Sequence, residues 1–281
     1  MTQQAGRRTR RDEYEQHQRI RSLIIAGVST TIVVACIAIL VPRLPRWDRV
    51  RTSFFDGEIF ADSFPRLLSA FWLDVQIFVW SVPLIFALSL AVAVTRNTRS
   101  PALFPLRAAA VIYTDVFRGV PVILTIFLIG FGVPGLFDSR AWSNPLIWGT
   151  AALVLSYSAY VSEEIRAGIE GVHESQRAAA RSLGMSSRQT MTNVVLPQAL
   201  RRIVPPMMNS LVSLQKDVAL ISVIGPVEIL RQAGLDKSRF ANFTPYVAAA
   251  VIFLAVTIPC TRLADYLLNR ERRRTGATAI S

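Results

Sequence analysis

The chain has 281 residues, of which 52% are hydrophobic and 18% charged, against about 25% charged in an average soluble domain. Its mean hydropathy is +0.38, and several apolar runs approach the roughly 20 residues needed to cross a bilayer, which excludes an ordinary soluble globule. The formal net charge of +12 comes from basic residues scattered among the segments between those runs; this is the arginine excess of a membrane protein's cytoplasmic side, and nucleic acid is excluded as a partner.

In chain order, residues 1–22 form a basic, aromatic-poor tail expected to be solvated, with anionic membrane lipid as an alternative contact. The first apolar run, 23–41, holds no charge. It is longer than the about 7–15-residue core of a cleaved signal peptide and is followed by Pro42 and Arg43, not by a small-residue cleavage site, so it reads as a retained helix. Further runs at 75–95, 119–137, 145–162, 204–215 continued by 218–227, and 244–261 bring the expected crossings to about six. Residues 101–117 have a helical pattern but carry Arg107 and Asp115, with Arg118 next. They are expected to start as an interfacial helix that dips into the membrane near Ala108.

With both termini placed in the cytoplasm, the inner segments 1–22, 95–107, 166–203 and 269–281 hold about twice as many basic residues as the outer segments 42–70, 135–145 and 225–243, as the positive-inside rule requires. Trp47, Trp72, Trp142 and Trp148 then fall near the outer interface, where an indole's apolar body and single N–H suit the boundary. Cys36 and Cys260 lie inside apolar runs and read as small packing residues.

The sequence holds no enzyme constellation. His17 and His173 are too few for a histidine metal cluster. Lys216 and Lys237 lack the glycines of a phosphate loop, so any nucleotide hydrolysis belongs to another chain. No cofactor motif and no catalytic residue is assigned. Glu163 and Glu164 are adjacent and, on a helix, point about 100° apart, too far to share one site.

The segment between the fourth and fifth crossings is polar yet patterned. Glu174 suits a helix N-terminus, Ala178, Ala179, Ala180 and Leu183 favour helix, and Gly184 can take the left-handed conformation that ends one. Ser186 and Gln189 have the spacing of a capping box that opens a second helix, which Pro197 is expected to end before Pro205 and Pro206 begin the next crossing. Two short capped helices with small residues along one side have the form of a docking element; a loop merely packed on the bundle is the alternative.

This segment resembles the EAA loop of ABC importer permeases, in which Glu-Ala-Ala is followed after three residues by Gly and, nine residues on, by Ile-x-Leu-Pro. Ala178, Ala179, Ala180, Gly184, Val194, Leu196 and Pro197 fall at those spacings, with Ala178 where the family usually has Glu. Residues 113–121 (Tyr113, Phe117, Arg118, Gly119, Pro121), 158–166 (Ser158, Tyr160, Glu163, Arg166), 196–209 and 216–224 (Lys216, Asp217, Leu220) resemble segments of the branch serving polar amino acids of the histidine, glutamate, glutamine and arginine type.

The resemblance covers about residues 70–270 and implies an all-α integral membrane protein. A five-helix core, 71–270, would carry a cytoplasmic coupling loop at 169–202, preceded by an extra helix at 23–41 and ended by a tail at 271–281. It implies the translocating subunit of an ATP-driven amino-acid importer in the cell membrane of a bacterium. Its expected partners are an ABC ATPase dimer, an extracytoplasmic solute-binding protein, a second permease copy or paralogue, membrane lipid and the polar amino acid. Ala178, Ala179, Ala180, Leu183, Gly184 and Pro197 would couple to the ATPase. Asp115, Arg118, Glu163 and Asp217, charges at membrane depth, are the expected pathway residues, since such charges are costly and tend to be functional. The same fold serving another small solute, a channel working without ATP, and a membrane anchor or receptor that transports nothing are the alternatives.

Overall fold

The computed structural model describes residues 2–98, 100–137 and 142–277. Parts of the expected outer segment 135–145 and of the tail 271–281, with Arg99 and Arg140, lie outside the described residues. The described residues are helical throughout their regular elements. Two units are distinguished, one ending at Asp56 and the other beginning at Gly57.

In the first unit, α1 (Thr2–Leu40) runs through both the basic tail and the first apolar run, so the backbone of the expected tail is helical. Its apolar part is exposed on all sides. A 3-10 turn, Val41–Arg43, with Pro42 near its start, ends it. A short helix, α2 (Trp47–Phe54), follows.

The second unit opens with α3 (Gly57–Asn97), whose 41 residues far exceed one bilayer thickness. The segment 42–70, expected outside the membrane, is therefore largely helical. Next come α4 (Phe104–Gly119), α5 (Val122–Gly132), α6 (Pro145–Glu170), α7 (Glu174–Ser182), α8 (Ser187–Thr190), α9 (Leu196–Asp217), α10 (Ile229–Phe240) and α11 (Thr244–Ala277). Four helical stretches are long and apolar enough to cross a membrane: Arg21–Arg43, Trp47–Asn97, Ser187–Ile224 and Thr244–Tyr266. The α4–α5 pair, bent by 110° where Val120 and Pro121 interrupt it, makes a fifth if taken as one span. The expected crossing at 145–162 lies in α6 but is not among these stretches. Its Ser156, Tyr157, Ser158, Tyr160 and Ser162 lower its hydropathy, and most of them are buried inside the bundle.

α6 is the axis of this unit, packed against α3, α5 and α9. Ile77 and Ile85 of α3, Ile126 of α5, Leu153 and Tyr157 of α6 and Leu214 of α9 form the main core, closed by Ile221 and Ile224 from the 3-10 segment Val218–Ile224. That segment continues the broken fifth run without a gap. A second core joins Leu67 and Phe71 of α3 to Ile229 and Ala233 of α10 and Ala248 and Ile252 of α11. Two buried acids anchor α10. The Asp74 carboxylate accepts the Ile229 N–H at 3.2 Å, and Glu228, the N-cap, accepts those of Leu230 and Arg231 at 2.8 and 2.7 Å, which satisfies three of the helix's orphan donors.

Candidate functional site

The patterned segment folds as a helical hairpin outside the main core. His173 caps α7, its Nδ1 accepting the Ser175 N–H at 3.2 Å; Glu174 occupies the first turn. Gly184 stops the helix with φ +80°. The Gly184 N–H bonds to Arg181 O at 2.9 Å and the Met185 N–H to Ala180 O at 3.1 Å, the paired bonds of a Schellman turn. Ser186 and Gln189 form the capping box, the Ser186 hydroxyl accepting the Gln189 N–H at 3.2 Å and Gln189 Oε1 the Ser186 N–H at 2.8 Å.

Pro197 does not end the second helix. A π-helical turn, Met191–Val195, joins α8 to α9 and places Pro197 in the first turn of α9, where no intrahelical N–H bond is required of it. Pro205 and Pro206 lie within α9 instead of opening a crossing.

The hairpin is fastened from below. Val172, Val195, Ala199 and Ile203 are buried together beneath it, with Ile165, Ile169 and Met191 against them. Arg177 donates to Ile169 O at 2.7 Å and Arg202 to Gly171 O. A Cβ at Gly168 would run into Ile203 and the Ala199 carbonyl, so the bare glycine is what lets α6 and α9 approach at the hairpin's root. Of the six residues expected to couple, Ala180 faces inward at 4% exposure, whereas Ala178, Ala179, Gly184 and Pro197 are exposed and Leu183 is 83% exposed. α7 thus presents a protruding leucine beside small side chains on a braced scaffold.

The charged residues expected at membrane depth separate into two groups and one outlier. Glu163 of α6 accepts from Arg96 of α3 at 2.8 Å, pairs with Arg118 of α4 at 3.8 Å and accepts from Arg166, which also binds Glu170. The motif segments 113–121 and 158–166 therefore face each other. Tyr113 and Ser158 share a hydrogen bond of 2.6 Å, and the Tyr160 hydroxyl donates to Arg118 O at 3.4 Å. Asp217 stands elsewhere, at the end of α9, and accepts from the Tyr157 hydroxyl at 2.8 Å. Asp115 is exposed on α4.

Glu164 points away from Glu163, as their adjacency on a helix requires, and accepts from Ser210 of α9 at 2.6 Å. Sequence reading missed the role of Glu164, and those of Tyr157 and the cap His173. Each depends on a partner that local spacing does not reveal, except that His173 directly precedes the helix start.

The family model for the inner membrane component of binding-protein-dependent transport systems matches residues 87–273, from within α3 to within the last turns of α11. The chain belongs to this family. Members are permeases, so this one is a multi-pass membrane protein working with a separate ATPase subunit and a solute-binding protein; ATP hydrolysis lies on the partner. It is 32% identical over 213 residues to a protein of Bacillus subtilis described as probable glutamine ABC transporter permease protein GlnM, covering 75% of this chain and 96% of that one. It is 31% identical over 220 residues to the probable amino-acid ABC transporter permease protein PatM of Vibrio harveyi, covering 77% and 97%. Among solved structures, an amino acid ABC transporter crystallised with histidines superposes with a TM-score of 0.69 at 29% identity, covering 76% of this permease and 98% of that chain. The MetNI methionine transporter, at 16% identity and a TM-score of 0.58, shares the fold. The first 86 residues precede the region matched by the family model.

Proposed function

We propose that this permease is the translocating subunit of an importer for polar amino acids. Two copies, or one copy with a paralogue, form the pathway, with both termini in the cytoplasm and six crossings. The observation that carries the reading is the braced hairpin at 171–197, whose exposed Leu183 and small neighbours fit a groove on an ATPase subunit. The amino-acid permease relatives and the amino acid ABC transporter crystallised with histidines support the solute class.

Within the pathway Asp217 is the carboxylate put forward to meet an α-ammonium group, because Tyr157 holds it in place with a single bond and leaves acceptor capacity free. Glu163 is engaged by three arginines and serves to tie α3, α4 and α6 together, with Arg118 as part of that tie; Asp115 stays a surface position at a pathway mouth. The test is uptake of labelled amino acids into proteoliposomes holding the permease, its ATPase and its binding protein. The expected outcome is ATP-dependent uptake that is lost on deleting 174–190. Uptake that persists without ATP, or stimulated hydrolysis that survives the deletion, overturns the coupling reading. Uptake of a different small solute alone overturns only the solute class.

A further inference from the structure

The segment between α1 and Asp56 lies outside the region matched by the family model and has a composition of its own. The apolar run 23–41 spans about 28 Å as a helix, close to the hydrocarbon thickness, so the membrane boundary falls near the 3-10 turn Val41–Arg43. α2 starts only four residues beyond that turn. At about 100° per residue Trp47, Val50 and Phe54 gather on one side of α2, Arg51 flanks them, and Arg49 lies opposite. Leu44, Val50 and Phe55 are exposed at 58%, 42% and 58%, and Trp47 rests against Phe55 with ring centroids 6.5 Å apart. Arg43, Arg46, Arg49 and Arg51 are exposed, and none makes an ion pair among the described residues. A short helix with an aromatic and aliphatic side, unpaired arginines and a position next to a bilayer crossing has the chemistry of an interfacial helix.

We propose that residues 43–55 lie in the headgroup layer, with Leu44, Trp47 and Val50 at the acyl boundary and Arg43, Arg46 and Arg51 holding anionic phospholipid headgroups. The unpaired positive charge selects headgroups of net negative charge over zwitterionic ones, and Arg51, beside the apolar side, can extend its guanidinium outward along the surface. This proposal rests on the first crossing and not on the identity of the solute.

The test uses the full chain, with Cys36→Ala and Cys260→Ala, in bilayers of phosphatidylcholine with phosphatidylglycerol. A spin label on Val50→Cys is expected to be reached by oxygen dissolved in the lipid, and one on Arg49→Cys by a water-soluble nickel complex. In parallel, the phosphatidylglycerol retained on extraction is expected to fall about fivefold or more in Arg43→Gln/Arg46→Gln/Arg51→Gln relative to the unaltered chain, and less in Arg46→Gln alone. Equal water access at positions 49 and 50 overturns the proposal, as does unchanged lipid retention in the triple variant. So does shielding of position 50 that arises only when a solute-binding protein is added, which would make this a protein-docking face.

Discussion

Single side chains in this permease act in pairs that span distant parts of the chain. Tyr157 and Asp217 are 60 positions apart, and Arg96 and Glu163 are 67 apart. Tyr157→Phe removes the hydroxyl that donates to Asp217, and the expected cost is about 1.5–3 kcal/mol, as for a hydrogen bond to a charged group. Measured as uptake, the variant should show a raised KM if the carboxylate meets the solute, whereas a fall in thermal stability with KM unchanged would assign Asp217 to structure alone. Glu163→Gln should be at least as damaging to stability, at about 3 kcal/mol, because Arg96 at 15% side-chain exposure is left without its counter-charge. The loss of melting temperature in detergent checks it, and Glu164→Gln, which keeps an acceptor for Ser210, should be milder. These pairings were not legible in the sequence. The motif residues Tyr113, Arg118, Ser158 and Glu163 stood out there as a resemblance, but that they meet across α4 and α6 is a property of packing.

Among the elements, the hairpin was the most legible because its signals are local. A glycine stop at Gly184 and a capping box at Ser186 and Gln189 need only neighbouring backbone groups, and both form at the expected positions. The expected stop at Pro197 failed for an equally local reason: the extra residue in the turn Met191–Val195 moves the missing N–H to a helix start. Gly184→Val puts a β-branched side chain at φ +80°, where nothing crowds it but the backbone itself is unfavourable by about 1–2 kcal/mol. Membrane insertion should be normal and co-purified ATPase reduced; full transport in that variant would remove the stop from the mechanism. Ala178→Glu adds a carboxylate at an exposed position and is expected to leave extraction stability unchanged while increasing the ATPase recovered with the permease. The expected crossing at 145–162 shows the limit of hydropathy as a guide. A helix buried by its own protein can carry hydroxyls that a lipid-facing helix cannot, and the bundle's central helix buries Ser156, Tyr157, Ser158 and Ser162 in this way.

For the molecule as a whole, the hairpin and the position put forward for the solute lie on one continuous element. From Ser187 through the π turn to Asp217 the chain never leaves a helix, a length of roughly 46 Å at the usual rise per residue. Gly168, where α6 and α9 nearly touch, is the bearing on which this element rests. Gly168→Val should push the two helices apart, cost about 1–3 kcal/mol, and uncouple stimulated hydrolysis from uptake more than it lowers either alone.

Under the proposed function, the stretch from Ser187 to Asp217 would be a connecting rod, with a thrust at one end and a load at the other. Pro205 and Pro206 withhold two backbone bonds near its middle. Such a rod is stiff along its axis and weakest sideways where those bonds are missing, so on the coupling proposed above a push from the nucleotide side would reach Asp217 as an axial displacement, with lateral strain taken up before it got there.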